Sequence, residues 1–323
     1  MHEILGIGGP ILDLVLPVPH EYLDIIPGKK WGMEPIDFST LENIILASGA
    51  TPIASLGGSA RNTIQGMVRL GEKCAFLGMI GKDKTAKTYQ SLLENEGIIS
   101  LLLESETPSA IVLSIVTPDG ERTMRTFQGA SIEFRGRHLD PIYFSKTKLV
   151  HIEGYALYNE DLVESACRMA QEAGAKISFD LSSFEVVNVF KDKILYFLEE
   201  YIDIVFSNDD ECMALWGESG EIACDHLANL CEVGLVLMGE KGAWVRKGGH
   251  KAHCPAYPVK PVDTTGAGDL FASGFLHAYL KGLSLEECAH YGAIAGRAVV
   301  QIMGAQISEE GWKAIYRKLN TPL

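Results

Sequence analysis

The sequence has few basic residues for its size. Its 323 residues include 28 Lys and Arg against 42 Asp and Glu, which gives a formal net charge of −14. Nucleic-acid grooves and anionic membrane surfaces are bound by clustered positive charge. We therefore expect neither a nucleic acid nor a membrane as partner.

Long apolar runs and a secretion signal are also missing. No uncharged apolar stretch approaches the roughly 20 residues of a membrane-spanning helix, and the opening Met-His-Glu-Ile-Leu has no basic region before an apolar core. The seven cysteines are odd in number and form no Cys-x-x-Cys pair. We expect a cytoplasmic protein with reduced thiols and no structural zinc. For His250 and His253, in a Gly- and Lys-rich segment, a solvated turn is favoured over a metal site.

Apolar residues nevertheless make up 47% of the chain, enough for a large core. The apolar pattern predicts strands at residues 3–9, 74–80, 149–152, 176–180, 202–206, 233–238 and 243–246, and helices at residues 40–47, 83–96, 161–173, 185–198, 209–215, 222–231, 269–281, 284–303 and 309–319. Residues 110–117 and 121–127 flank Pro118-Asp119-Gly120 as a hairpin. Alternating strands and helices predict a parallel sheet covered on both faces.

Residues 261–275 read Pro-Val-Asp-Thr-Thr-Gly-Ala-Gly-Asp-Leu-Phe-Ala-Ser-Gly-Phe, a small-residue loop that leads into a helix. Gly266 and Gly268 allow the backbone to approach a ligand closely. The N–H groups at the start of a helix have no internal partners, so they favour an anion such as phosphate. Asp269 lies at the same place. The alternative is a plain helix cap.

A second glycine-rich turn, Leu56-Gly57-Gly58-Ser59-Ala60-Arg61-Asn62, precedes another apolar helix. On its own it is also compatible with a flexible turn and a Ser cap. Asp13 follows the first predicted strand after Gly8-Gly9-Pro10, where an acid is well placed to hold hydroxyl groups. An ordinary Asp turn is the alternative for that residue.

Residues 263–269, Asp-Thr-Thr-Gly-Ala-Gly-Asp, resemble the second signature of the ribokinase or PfkB family of carbohydrate and nucleoside kinases, and Gly57-Gly58 with Asn62 resembles the first. The resemblance implies a single ribokinase-like domain over residues 1–323, a three-layer α/β/α fold with a mostly parallel central sheet and a small β-sheet lid. Residues 14–52 and 107–130 would form the lid. Residues 120–131 and 203–208 look closer to the adenosine kinase-like branch than to ribokinase itself.

The resemblance also implies roles for individual residues. The catalytic set is Asp269 as base with Gly266, Ala267 and Gly268, where the backbone N–H groups of residues 265–268 would stabilise the transferred phosphoryl group. The substrate set is Asp13, Gly57, Gly58, Asn62, Arg122 and Tyr155. The nucleotide set is Asn208, Gly239, Lys241, Gly242, Thr264 and Thr265. Glu211 would hold Mg²⁺ through water, although helix capping by Asn208 and Glu211 is equally compatible with the sequence.

The expected reaction is transfer of the γ-phosphoryl group of ATP to a primary hydroxyl of a sugar or nucleoside, with Mg²⁺ and, as a further option, K⁺. No Walker loop is present. Arg122 and Arg125 should face opposite sides of one strand, so only one can reach the cleft; the resemblance favours Arg122. A monomer and a homodimer both fit the sequence.

The acceptor stays open at this stage. Tyr155 can offer an aromatic surface to a nucleobase, but Ala156 stands where adenosine kinases tend to have a second aromatic residue. A nucleoside therefore competes with a simple furanose, as in ribokinase, and with a phosphosugar, which the scarcity of basic residues disfavours. A catalytically inactive binding relative is a third alternative, and the intact Asp269, Asn208 and Glu211 argue against it.

Overall fold

The computed structural model describes residues 2–30, 32–119, 121–159 and 161–319. Within these ranges the strands are β1 Ile4–Ile7, β2 Ile11–Pro17, β3 Met33–Pro35, β4 Ile53–Leu56, β5 Cys74–Gly81, β6 Ile99–Ser105, β7 Ala110–Val116, β8 Arg122–Phe127, β9 Leu149–Glu153, β10 Lys176–Asp180, β11 Ile204–Asn208, β12 Val233–Leu237, β13 Ala243–Lys247 and β14 His250–Cys254. The helices are α1 Phe38–Ser48, α2 Ser59–Arg69, α3 Lys84–Asn95, α4 Pro141–Phe144, α5 Leu162–Glu172, α6 Phe184–Glu200, α7 Asp209–Trp216, α8 Gly220–Leu230, α9 Ala267–Leu280, α10 Leu285–Val299 and α11 Glu309–Leu319.

The large sheet has the strand order β14-β13-β12-β11-β10-β9-β1-β5-β6. The strands from β12 to β6 pair in parallel, and β13 and β14 add an antiparallel hairpin at one edge. Because the parallel strands run in one direction, their carboxyl ends lie along one edge of the sheet, the usual position of ligands in such folds.

Both faces of the large sheet are buried. Along β1, Leu5 packs into the apolar cluster that includes α5 to α8, and its neighbour Ile4 packs into the cluster that includes α2, α9 and α10. Successive strand residues point to opposite faces, so this division is what a covered sheet requires. The three-layer α/β/α architecture expected from the sequence is confirmed.

A smaller sheet has the order β3-β8-β7-β2-β4. Helix α1 covers one face of it, with Leu41 and Ile44 packed against Leu16 and Leu113. The hairpin of β7 and β8 is confirmed; Gly120, expected in its turn, lies outside the described residues. The sheet draws its strands from residues 11–17, 33–35, 53–56, 110–116 and 122–127. Its role as a lid stays a prediction.

Two strands of the large sheet, β6 and β14, were not predicted. Strand β6 lies at the edge of the large sheet and is half-exposed along most of its length, so it lacks the continuous apolar run of a central strand. Strand β14 lies where a solvated turn was expected, and that expectation was wrong. There His250 bonds to Glu286 at 2.7 Å and His253 to the carbonyl of Lys241 at 3.0 Å.

The described residues contain no group of three or more His, Cys, Asp or Glu side chains that could hold a metal ion. All seven cysteines lie within the described ranges and are free thiols. In that same part of the chain, each helix is too short or too polar to cross a bilayer.

Candidate active site

Four carboxylates meet at the carboxyl edge of the large sheet. Glu153 ends β9, Asp180 ends the adjacent β10, Glu211 follows β11 in the first turn of α7, and Asp269 comes from α9. Burial raises the pKa of Glu153 and that of Glu211 to about 7. The pKa of Asp180 is well above its ordinary value because of burial and the repulsion of Glu211 and Asp269. The carboxylates at this edge can therefore attract cations and exchange protons.

The α9 turn, which we define as residues 263–269, offers backbone donors. Gly266 adopts the left-handed conformation at φ 77°, and a Cβ there would lie 2.8 Å from that of Ala305. Thr265 N–H donates to Asp263 Oδ1 at 3.1 Å, and Ala267 N–H to the carbonyl of Thr264 at 3.1 Å.

Three N–H groups at the start of α9, those of Gly266, Gly268 and Asp269, have no acceptor within the described residues. The sequence had suggested donors from residues 265–268. Two of those four, Thr265 and Ala267, are already engaged, and Asp269 supplies one that was not expected.

Asp269 does not cap its own helix. No side chain caps α9; the half-buried carboxylate of Asp269 instead accepts from Ser59 Oγ through Oδ1 and from Asn62 Nδ2 through Oδ2, both at 2.7 Å. The plain-cap alternative is therefore wrong. Burial raises the pKa of Asp269, while the bonds from Asn62 and Ser59 and the charge of Arg61 act against that rise.

The α2 turn, which we define as residues 57–60, is built differently. Gly58 has φ 100°, and a Cβ there would lie 2.6 Å from the carbonyl oxygen of Gly9. Glu153, which is 2% exposed, accepts from Gly9 N–H through Oε1 and from Ala60 N–H through Oε2, both at 2.8 Å. A buried carboxylate thus already occupies the start of α2.

Asp13 lies against Gly57, because a Cβ on Gly57 would come within 2.6 Å of Asp13 Oδ1. It sits inside β2 of the smaller sheet rather than in the segment directly after β1. No hydrogen bond to its carboxylate is found in the described part of the chain. Burial raises the pKa of Asp13 to about 6, against the opposing charges of Arg61 and Arg122. Among the residues that the structure describes, this carboxylate is therefore an acceptor without a donor.

The two arginines of β8 point in opposite directions, as their spacing indicated. Arg125 is buried. It donates to the carbonyls of Pro27 at 2.7 Å and Lys29 at 3.0 Å, which belong to a loop beside the smaller sheet. Arg122 instead reaches the α9 turn, with Nη2 3.2 Å from Asp263 Oδ2, and it also contacts Met303. Arg122 therefore links the smaller sheet to the α9 turn.

Asn208 and Glu211 form a capping box at the start of α7. Asn208 N–H and Nδ2 each donate to a different oxygen of Glu211 at 2.8 Å, and Glu211 N–H donates to Asn208 Oδ1 at 2.9 Å. The sequence allowed two interpretations of this pair, helix capping and a role near Mg²⁺, and the structure contains the helix cap. A role for the pair near Mg²⁺ stays a prediction.

Residues 239–242 form the expected connection from β12 to β13. Gly242 has φ 92°, and a Cβ there would lie 2.1 Å from the carbonyl oxygen of Cys254, so glycine is required by the turn itself. Lys241 is exposed. Thr264 is exposed too, and Thr265 Oγ1 donates to Asp263 Oδ1 at 2.8 Å. Their contacts with a nucleotide stay predictions.

Tyr155 lies just after Glu153, at the same edge of the sheet. Its side chain is 46% exposed, whereas Ala156 is 4% exposed and packs into the core. One aromatic surface is therefore open to a ligand at this position.

Sequence reasoning missed four residues that shape this site, namely Ser59, Arg61, Glu153 and Asp180. Glu153 and Asp180 could have been found, because each is an acid at the last position of a buried strand, the type of signal that singled out Asp13. Ser59 and Arg61 gave no separate signal, because Ser59 binds Asp269, 210 residues away, and Arg61 binds two backbone carbonyls besides Gln65.

The chain is similar to known kinases over nearly its whole length. A family model described as pfkB family carbohydrate kinase matches residues 36–312. A nucleoside kinase of Methanocaldococcus jannaschii is 30% identical over 271 residues, which cover 81% of this chain and 85% of that protein.

Two crystal structures are similar in fold, each with a TM-score of 0.86. An adenosine kinase from Sinorhizobium meliloti is 28% identical and covers 98% of this chain and 99% of its own. A probable sugar kinase from Rhizobium etli is 29% identical, with 98% of both chains covered. The ribokinase-like α/β fold is confirmed.

Proposed function

Because this chain belongs to the PfkB family of carbohydrate kinases, which transfer phosphoryl groups to sugars or nucleosides, we propose that it transfers the γ-phosphoryl group of ATP to a primary hydroxyl of a sugar or nucleoside. One observation carries the proposal. The carboxylate of Asp269 is held by Ser59 and Asn62 next to the unpaired N–H groups at the start of α9.

The α9 turn suits the donor side of the reaction. The N–H groups of Gly266, Gly268 and Asp269 are free to donate, and the positive end of the α9 dipole adds to their attraction for an anion. At Gly268 a Cβ would meet only Leu237 Cδ1, at 3.8 Å, so the space above this residue is open to a phosphoryl group. Preorganised donors of this type stabilise developing negative charge.

Asp269 suits the acceptor side. An oxygen of the acceptor hydroxyl forms the new bond to phosphorus while the bond from the γ-phosphorus to the bridging oxygen breaks and ADP leaves. The hydroxyl proton passes to the Asp269 carboxylate. Asp13, which lacks a protein donor, is available to accept a hydrogen bond from a second hydroxyl of the acceptor. The other proposed substrate contacts are Gly57, Gly58, Asn62 and Arg122.

The residues at this edge fit Mg²⁺ through water rather than as direct ligands. Both oxygens of Glu211 already accept from Asn208. Burial, and after it repulsion by Glu211, raises the pKa of the neighbouring Asp180, and a divalent cation would offset that repulsion. Mg²⁺ keeps several waters and takes few carboxylates. When bound with ATP it would neutralise charge on the phosphates.

For the acceptor, the exposed ring of Tyr155 favours a nucleoside, since an aromatic surface binds a base by stacking. The buried Ala156 supplies no second ring, which keeps a free furanose as the second candidate. The nucleoside kinase at 30% identity and the structurally similar probable sugar kinase support these two classes in turn.

The test is a panel of acceptors with the purified protein, ATP and Mg²⁺, read by coupled detection of ADP. Purine and pyrimidine nucleosides, free furanoses and sugar phosphates form its three arms. We expect ADP release that depends on at least one nucleoside or furanose. Tight acceptor binding without ADP release in any arm would contradict the proposal and indicate an inactive relative.

A further inference from the structure

Arg61 is a cation enclosed in the protein directly behind the α2 turn. It is 0% exposed. Its guanidinium donates to the carbonyl of Leu56, to that of Gly57 at 3.4 Å, and to Gln65 Oε1 at 3.0 Å. Burying a charge is unfavourable unless it is compensated, so its position calls for a reason beyond packing.

The hydrogen-bond partners of Arg61 are all neutral. Its ion-pair partner, Glu96, is half-buried and stands with Oε2 3.5 Å from Nη1. The charge of Arg61 also reaches the two carboxylates of the acceptor side, because it opposes the rise in pKa that burial causes at Asp13 and at Asp269. The guanidinium therefore acts on both in the same direction.

The two carbonyls that Arg61 binds belong to the strand end and the first glycine that carry the α2 turn. Asp13 lies directly over that glycine, Gly57, and Asn62, the next residue after Arg61, holds Asp269. One side chain therefore fixes the backbone between the two acids and supplies positive charge to both. Arginine suits this task because its planar fork can bind several oxygens at once and stays charged.

We propose that Arg61 is a positioning residue for phosphoryl transfer, which holds the α2 turn in place between Asp13 and Asp269 and supplies positive charge to both acids. The inference rests on the function proposed above. It assigns Arg61 no contact with the substrate, since the side chain is enclosed.

Other titratable groups also face these two acids. Asp13 is faced by Arg61 of α2, Arg122 of β8 and Tyr89 of α3, and Asp269 is faced by Arg61, by Glu153 of β9 and by Asp180 of β10. Because every variant below retains all of these groups except the one it replaces, a difference between variants reports on the replaced charge.

The test compares R61M, R61K and R125M by the pH dependence of kcat/KM for the acceptor found in the panel. R61M removes charge and hydrogen bonds, and we expect the acid limb of its profile to move up by about 0.5–1 pH unit, with a KM for the acceptor on the order of tenfold higher. R61K keeps the charge, so the acid limb of its pH profile should stay near that of the wild type. Its KM for the acceptor should still rise. The carbonyls keep other donors in both variants, Gln306 for Leu56 and Tyr89 for Gly57.

R125M is the matched control. Arg125 is also buried at 1% exposure and also binds backbone carbonyls, but its charge does not act on Asp13 or Asp269. We expect R125M to lower the melting temperature without moving the acid limb. The inference would be overturned if R61M leaves the acid limb of the pH profile unchanged. It would also be overturned if R125M shifts that limb as far as R61M does.

A second measurement separates this inference from the proposed function. In protein carrying ¹³C at the Asp carboxyl carbons, the NMR signals that D13N and D269N remove identify the two acids. Their titration should move to higher pH in R61M even if no acceptor is phosphorylated. Unchanged titration of both signals in R61M would overturn the inference, whereas an inactive wild-type protein would overturn only the proposed function.

Discussion

The turns that open α2 and α9 are alike in sequence and lie side by side, yet their N–H groups are used differently. The helices approach so closely that a Cβ on Gly66 would meet Ser273 Oγ at 2.2 Å. In the α2 turn, Ala60 N–H already binds the buried Glu153. In the α9 turn, the N–H groups of Gly266, Gly268 and Asp269 are unpaired in the described structure.

A glycine-rich turn before a helix is therefore not by itself an anion site. What decides is whether a carboxylate of the protein has already occupied it. Glu153 accepts from Ala60 N–H at the start of α2, whereas no carboxylate within the described residues accepts from the N–H groups of Gly266, Gly268 and Asp269. In the proposed function, those three groups are the ones available to the phosphoryl group. Asp269, bound by Ser59 and Asn62, connects the two turns.

The largest effect should come from the residue that joins the turns. We expect D269N to lower kcat by about 10²–10⁴-fold, the usual range for loss of a general base, because an amide cannot take the acceptor proton. ATP affinity, measured by calorimetry, should stay within a few-fold of the wild type. D192N makes the same change at an exposed position of α6 and should retain activity. Turnover by D269N close to that of the wild type would refute its role as base.

The comparison also predicts how stability depends on pH. Burial raises the pKa of Glu153 to about 7 from 4.5, so its contribution to stability is present below about pH 4.5 and is lost as the pH rises through 7. The loss is on the order of 3 kcal/mol. The free energy of unfolding, measured with urea across pH 4.5–8, should therefore fall more steeply for the wild type than for E153Q. Burial raises the pKa of Asp13 and Glu211 too, so E153Q should retain part of the slope.

E232Q is the control for that experiment. Hydrogen bonds from Lys176, Lys247 and Tyr279 outweigh burial and lower the pKa of Glu232 to about 2, so its contribution is lost only as the pH falls below the window. E232Q should leave the slope between pH 4.5 and 8 unchanged. Equal slopes for E153Q and the wild type would show that Glu153 is not the buried acid assumed here.

Two alanine substitutions, G58A in the α2 turn and G268A in the α9 turn, alter one turn at a time. In G58A the new Cβ clashes with the carbonyl of Gly9 and the residue must keep φ 100°, so we expect a loss of about 1–3 kcal/mol in the free energy of unfolding. In G268A the new Cβ has room, so stability should be unchanged or slightly higher. That Cβ stands where the phosphoryl group is expected, and ATP affinity should fall on the order of tenfold. The reverse pattern would assign the phosphate to the α2 turn.

The smallest effect on stability concerns the contact between the smaller sheet and the α9 turn. Arg122 and Asp263 are 28% and 13% exposed as side chains and 3.2 Å apart, so R122A should cost less than about 1 kcal/mol of stability. Because this ion pair links the two regions, we expect a several-fold higher KM for the acceptor, with the difference from the wild type shrinking at high salt. A KM unchanged at low salt would show that the contact does not serve the site.

Much of the fold could be predicted, because a parallel sheet buried on both faces leaves near-continuous apolar runs such as β5 and β12. The half-exposed β6 and the polar β14 leave no such run, so they were missed. The two turns were found through glycine spacing, but the sequence does not show that Asn62 binds Asp269, 207 residues away. Nor does the sequence show whether a charged residue such as Arg61 is exposed to solvent or buried.

A crystal structure of the protein with a non-hydrolysable ATP analogue, Mg²⁺ and the acceptor identified by the panel would show whether the α9 turn binds the γ-phosphoryl group. We expect γ-phosphoryl oxygens about 3 Å from the backbone nitrogens of Gly266 and Gly268, with an acceptor hydroxyl at the same distance from the Asp269 carboxylate. A γ-phosphoryl group bound at the α2 turn, or an Asp269 carboxylate out of reach of the acceptor, would contradict this expectation.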